Sequence, residues 1–308
     1  MRFALLFAKL AVVTALWGVP ASVDGQIFVT TGSDGIGRVS EYTTSGATIN
    51  ASLVTGRNLS PGIAVSGSTL FVTDNSAGTV AAYTTSGATL NTALISGLST
   101  PWGIEASGDK LYVVSGGNRV VGTIGEYTTS GAIVNASLVS GLTNPEGIAL
   151  SGSNLFVVYA GNHIGKYTTA GGPAHAPLIS GNGFQFWRGI AVSGDKLFVT
   201  DVNAGTISEF TTSGAIVNAT LVSGLNRPSD IEVFGGHLFV TNSLTGSIGE
   251  YTMTGEVVNA SLIAKSGSTY GIAIVPEPSA WALLATGILL LLGRRFGWRA
   301  GYCGITKD

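Results

Sequence analysis

The chain has 308 residues, a formal net charge of −2, 45 glycines and only 10% charged residues, a composition that suits many short strands joined by tight turns and excludes a protein built on long amphipathic helices. Residues 22 to 275 hold 9 Lys plus Arg against 15 Asp plus Glu, a net −6, which excludes the basic surface that nucleic acid requires as a partner. The single cysteine, Cys303, excludes an internal disulfide framework and leaves packing to hold the fold.

Residues 1 to 21 carry an early positive charge at Arg2, an apolar stretch and then small residues up to Ala21. That order predicts a secretory signal peptide cut after Ala21. From Gln26 onward the chain repeats. A Tyr-Thr-Thr-Ser-Gly motif, with small variations, places its aromatic at Tyr42, Tyr83, Tyr127, Tyr167, Phe210 and Tyr251, at intervals of 41, 44, 40, 43 and 41. A period near 42 with strand-like content predicts the blades of a β-propeller over residues 22 to 275. Each unit resolves into four strands, as at 62 to 65, 70 to 73, 78 to 83 and 92 to 95, with turns at Ser66-Gly67 and Thr85-Ser86-Gly87.

The phase of the repeat also predicts how the ring closes. The repeating part starts on a second strand, residues 27 to 30, and finishes on a first strand, residues 271 to 274, so each strand type occurs six times. The last strand must therefore complete the first blade, pairing the two ends and removing the free edges of an open array. The expected fold class is all-β: a six-bladed propeller closed by its terminal strands, followed by a C-terminal transmembrane sorting helix.

Candidate functional residues gather where loops enter the innermost strands. The residue before each Gly-Ile step, which is Asp-Ile in the sixth blade, varies: Pro61, Trp102, Glu146, Arg188, Ser229 and Tyr270, with Trp187, Arg227 and Asp230 nearby. Aromatics mixed with charges around a funnel suit a sugar, a peptide or a polar small molecule. The third residue of the innermost strand is Ala64, Ala149, Ala191 and Ala273 in four blades but Glu105 and Glu232 in the third and sixth. In a ring of six those two face each other, where they would attract a cation or share a proton. Two opposed carboxylates supply few of the oxygens calcium takes, so no metal or other cofactor is expected.

Other polar residues read as framework. Glu41, Glu126, Glu209 and Glu250 share one repeated position, and Asp74 and Asp201 follow the second strand where a turn needs a cap. The three histidines, His163, His175 and His237, are too dispersed for zinc or a catalytic diad, with His163 on the funnel side. Asn50, Asn135, Asn218 and Asn259 fit the Asn-x-Ser/Thr pattern but recur at one turn.

At the far end Pro276-Glu277-Pro278 precedes an apolar run, residues 280 to 292, closed by Arg294-Arg295. Thirteen helical residues span about 20 Å, short of the ~30 Å hydrocarbon core. The arginines would lie on the cytoplasmic side, leaving everything upstream outside.

The order Pro-Glu-Pro, apolar helix, arginine cluster resembles the PEP-CTERM sorting signal. The resemblance implies membrane association through residues 280 to 292 before processing, and a sorting signal made of Pro276, Glu277, Pro278, Arg294 and Arg295 that a protease of the exosortase type recognises and cleaves. The tail through Asp308 departs from that family, whose members usually end soon after the arginines. Within the repeat, Gly-Ile-Ala-Val, Leu-Phe-Val-Thr-Asp and Gly-Thr-Ile-x-Glu-Tyr resemble NHL-type repeats of six-bladed, TolB-like propellers. That resemblance specifies a fold and leaves activity open. The expectation is an exported, surface-sorted propeller without catalytic groups, acting by binding or within an exopolysaccharide matrix. The alternative is a metal-assisted hydrolase or lyase resembling the gluconolactonase-like propellers, with Glu105 and Glu232 near the ion.

Overall fold

A computed structural model describes residues 25 to 276, apart from 34–35, 57–58, 117–120, 184 and 265–266. The predicted signal peptide and the sorting segment beyond Pro276, including Glu277, Pro278, Arg294 and Arg295, lie outside the described residues. Among the described residues no helix is long and apolar enough to cross a membrane.

Among the described residues, twenty-four strands form six four-stranded antiparallel sheets. The chain begins with β1 (Gly25–Ser33), β2 (Ile36–Thr43) and β3 (Thr48–Gly56). The second blade is β4 (Leu59–Ser66), β5 (Thr69–Asp74), β6 (Thr79–Thr84) and β7 (Thr89–Ile95). The third is β8 (Ile104–Ser107), β9 (Lys110–Ser115), β10 (Val121–Thr128) and β11 (Ile133–Thr143). The fourth comprises β12 (Ile148–Ser151), β13 (Asn154–Tyr159), β14 (His163–Thr168) and β15 (Pro173–Ser180). Then come β16 (Trp187–Ser193), β17 (Lys196–Asp201), β18 (Thr206–Thr211) and β19 (Ile216–Val222). The sixth blade is β20 (Pro228–Phe234), β21 (His237–Asn242), β22 (Ser247–Thr252) and β23 (Val257–Ile263), after which β24 (Ser268–Pro276) ends the described chain.

The first sheet has the order β24-β1-β2-β3, so the predicted closure holds. Ile27 pairs with Ile274, Phe28 with Ala273 and Val29 with Ile272. The inner strands β24, β4, β8, β12, β16 and β20 each lie against the next around the ring.

Alternation along each strand, period two, sends one set of side chains to each flanking blade. Apolar residues occupy both sets, so the core lies between blades. Phe28, Val39, Ile63, Leu70, Val72 and Tyr83 fill one such layer, and Phe198, Ile207, Ile231, Leu238 and Tyr251 another. One register row crosses every blade: Ala64, Phe71, Ala82 and Asn91 in the second, Glu105, Tyr112, Glu126 and Asn135 in the third. An aromatic residue exposed by 2% or less sits second in all six rows. It walls the channel from behind.

The framework carboxylates behave as their repetition predicts. Asp74 Oδ1 accepts from the amides of Ser76 (3.1 Å) and Ala77 (2.8 Å), and Asp201 Oδ1 from those of Asn203 (3.0 Å) and Ala204 (2.9 Å). Glu126 pairs with Lys110 at 2.5 Å, Glu209 with Lys196 at 2.7 Å, and Glu250 with His237.

Candidate functional site

The site is built on the start of the inner strands, where neighbouring backbones nearly touch. A Cβ on Gly62 would stand 2.1 Å from the Trp102 carbonyl oxygen, and one on Gly147 would stand 2.2 Å from that of Arg188. Glycine at this step lets each blade carry its preceding residue against the neighbour's backbone. A second-strand threonine then ties the contact. Thr73 Oγ1 accepts from the Gly62 amide at 2.9 Å and donates to the Trp102 carbonyl at 3.1 Å. Thr241 Oγ1 does the same between the Asp230 amide (2.9 Å) and the Tyr270 carbonyl (2.8 Å). The variable side chains before the step therefore hang from fixed backbone at the channel mouth.

All six inner strands line one cavity of about 190 Å³. Trp102, Glu105, Glu146, Arg188, Glu232 and Tyr270, all six sequence-predicted ligand-binding candidates, are on its wall, with Ser229 and Asp230. Arg188, from the fifth blade, spans the mouth. Its guanidinium carbon lies 4.6 Å from the Trp102 ring centroid and 6.0 Å from that of Tyr270, and its Nε is 3.3 Å from Glu146 Oε2. Four blades meet in that one side chain. Glu146 is 6% exposed and also accepts a 2.9 Å hydrogen bond from Asn144 Nδ2. Burial pushes its carboxyl up, and the arginine and Asn144 pull it partly back.

Below the arginine lie Glu105 on β8 and Glu232 on β20, from opposite blades. Each keeps a strip of surface on the channel, while protein surrounds it on the remaining sides. Burial pushes the Glu105 carboxyl up to about 8, with Asp230 adding to the rise. Glu232 is raised well above the ordinary carboxylate range by burial first, then by Glu105 and Asp230. Both glutamates line the cavity from opposite blades.

Asp230 completes the group, and it was named only as a neighbour in the sequence. It stands where the other five blades have glycine, next to a register shift between Pro228 and Asp230. Its Oδ1 accepts from the Ile231 amide (3.0 Å) and its Oδ2 from the Ile272 amide of the first blade (3.0 Å). Burial raises it to about 7, while those two amides and Arg188 work in the opposite direction. The break in the Gly-Ile pattern was the signal that could have singled it out.

Two further expectations change. Trp187 does not reach the funnel: it is 3% exposed and meets Phe210 edge-on at 5.5 Å, because period two on β16 sends it opposite to Arg188. His163 meets the Tyr159 ring in a tilted contact at 5.4 Å and is not part of the cavity wall.

A family model described as Virginiamycin B lyase family matches residues 9–292. No curated protein matches the chain. Among solved structures, a chain of the nidogen–laminin complex has a TM-score of 0.64 at 15% identity, covering 82% of this chain and 98% of that one. A gluconolactonase from Xanthomonas campestris has a TM-score of 0.56 at 16% identity, with 68% and 77% covered. A catalytically inactive histidine-to-alanine variant of virginiamycin B lyase from Staphylococcus aureus, solved with quinupristin, has a TM-score of 0.54 at 20% identity, with 84% and 94% covered.

Proposed function

The chain belongs to the Virginiamycin B lyase family, and on that premise we propose that it is an exported propeller that binds a small molecule in its channel mouth, the ligand resting against Trp102 and Tyr270. The observation that carries this is Arg188, held between two aromatic rings and Glu146 above a cavity of about 190 Å³. Rigid rings with one buried, oriented ion pair are the features by which small-molecule pockets gain affinity and orientation. A library of small molecules and glycans, screened by thermal shift, tests the reading. A hit should stabilise the wild type and lose most of its shift in Trp102→Ala. Hits that are indifferent to Trp102→Ala would place the ligand elsewhere and end it.

A second reading, lyase or hydrolase chemistry, draws on Asp230 and Glu105, whose carboxyls are raised to about 7 and about 8. Groups that titrate near neutral pH can pass a proton in either direction. Turnover of a screening hit, lost in Asp230→Asn with binding retained, would replace the first reading with this one.

We further propose that residues 1 to 21 direct export and that the segment after Pro276 is a sorting signal. The propeller supports this, since β24 ends at Pro276 and a cut within Pro276-Glu277-Pro278-Ser279 leaves every ladder of the first blade intact. In a host with an exosortase, mass spectrometry should find a C-terminus between residues 276 and 279. A mature chain that retains Cys303 identifies the segment as an ordinary anchor instead.

A further inference from the structure

The channel floor has an imbalance that the mouth does not resolve. Glu105, Asp230 and Glu232 face one cavity, and the only cation on its described wall is Arg188. Arg188 is already committed to Glu146 and the two rings. The remaining walls bring nothing to offset the three carboxyls: β4 contributes Gly62 to Val65, β12 Ile148 to Leu150, and β24 Tyr270, Ile272, Ala273 and Ile274. Asp230 has both oxygens satisfied by amides. Among the described residues the Trp102 indole N–H is buried without an acceptor.

We propose that the channel takes a ligand bearing a protonated primary amine on a short arm from a ring. The ammonium sits among Glu105, Asp230 and Glu232, and the ring lies against Trp102 and Tyr270. This rests on the channel-binding reading above and gives the ligand its class. An ammonium is compact and carries three donors, which suits carboxyls that face one cavity from opposite blades. A guanidinium prefers one flat, forked partner, and that pairing is already present at the mouth. Calcium takes six to eight oxygens, and no group of three or more His, Cys, Asp or Glu among the described residues has the arrangement to hold a metal ion.

Binding has a proton balance. In the empty channel burial raises the Glu105 carboxyl to about 8, so that it holds its proton at neutral pH, and Glu232 is lifted in the same direction. When the ammonium enters, a carboxyl O–H breaks, its proton goes to solvent, and a carboxylate–ammonium pair remains, so charge is conserved. Affinity for the amine must therefore rise with pH below the pKa of the empty channel.

Calorimetry on the purified protein with tyramine and its hydroxyl analogue tyrosol tests this, since the two differ only at the amine. Tyramine should bind at least roughly tenfold more tightly, and titrations in buffers of low and high ionisation enthalpy should show protons released on binding. In Glu105→Gln/Glu232→Gln the preference should fall to about twofold or less. Equal affinities that depend on Trp102 overturn the amine inference and leave the channel reading intact. An amine preference that survives the double substitution, or tyramine binding without proton release, also overturns it. If neither probe binds, the amine inference fails, and the channel reading is then decided by the screen described above.

Discussion

The outer and inner strands of this propeller obey different rules. On the outer strands the same local device recurs in five blades: Asn50, Asn91, Asn135, Asn218 and Asn259 each accept, at 2.9 to 3.1 Å, from the amide two residues on. The resulting turn coincides with a register shift against the third strand. A bulge of this kind kinks an exposed edge and blunts its pairing with another chain. The inner strands share a Gly-Ile frame in five blades, and they depart from one another at positions that face the channel. Repetition here reports what the backbone needs six times. Departure from it reports the site: Glu105, Asp230 and Glu232 each replace a small residue found in most other blades.

The sequons fall under the same rule. The side-chain oxygen of each is committed to its own backbone, and Asn91 has the same bond without fitting the pattern, since Ala93 follows. A turn explains all five.

Removing one inner strand should break the comparison most severely, because an inner strand serves both its blade and the ring. A chain ending at Tyr270 loses the partners of Gly25 through Val29 and the buried side chains of Ile272 and Ala273. Its thermal midpoint should fall by roughly 10 °C or more, or cooperative melting should disappear. An unchanged midpoint, against a chain ending at Pro276, would contradict closure by the terminal strands.

A smaller effect of opposite sign should come from Glu105→Gln. The folded carboxyl titrates at about 8 against an ordinary value of 4.5, so between those values the folded protein holds a proton that the unfolded chain has released. Stability contributed by this group is therefore present below pH 4.5 and is lost as pH rises toward about 8. Glutamine removes that loss. The variant should be more stable than wild type by ~1–2 kcal/mol at pH 8, after allowing for water in the channel, and the difference should vanish near pH 4.5. Urea unfolding at both pH values reads it. A variant less stable than wild type at pH 8 would mean that Glu105 is ionised and paired.

The smallest effect belongs to the outer face. Asn218→Ala removes one exposed side-chain-to-backbone bond, that with Thr220 at 3.0 Å, and should cost about 0.5–1 kcal/mol with no change in ligand binding. If it weakened binding as much as Trp102→Ala does, the separation of edge from channel would be wrong.

What the sequence alone determined were the quantities carried by local spacing: six units, four strands in each, the offset that makes β24 the inner strand of the first blade, and the variable positions at the mouth. Backbone geometry repeats wherever its residues repeat, so counting was enough. The tertiary structure decided how those positions combine. Trp102, Glu146, Arg188 and Tyr270 belong to four blades and are far apart in sequence, and only the ring's diameter and the reach of one arginine bring them together. Trp187 and Arg188 are neighbours in sequence, yet one enters the core and the other the channel. The carboxyls acquire their unusual affinity for protons from the protein packed around them and from each other across the opening, and neither property is written in the spacing of the residues along the chain.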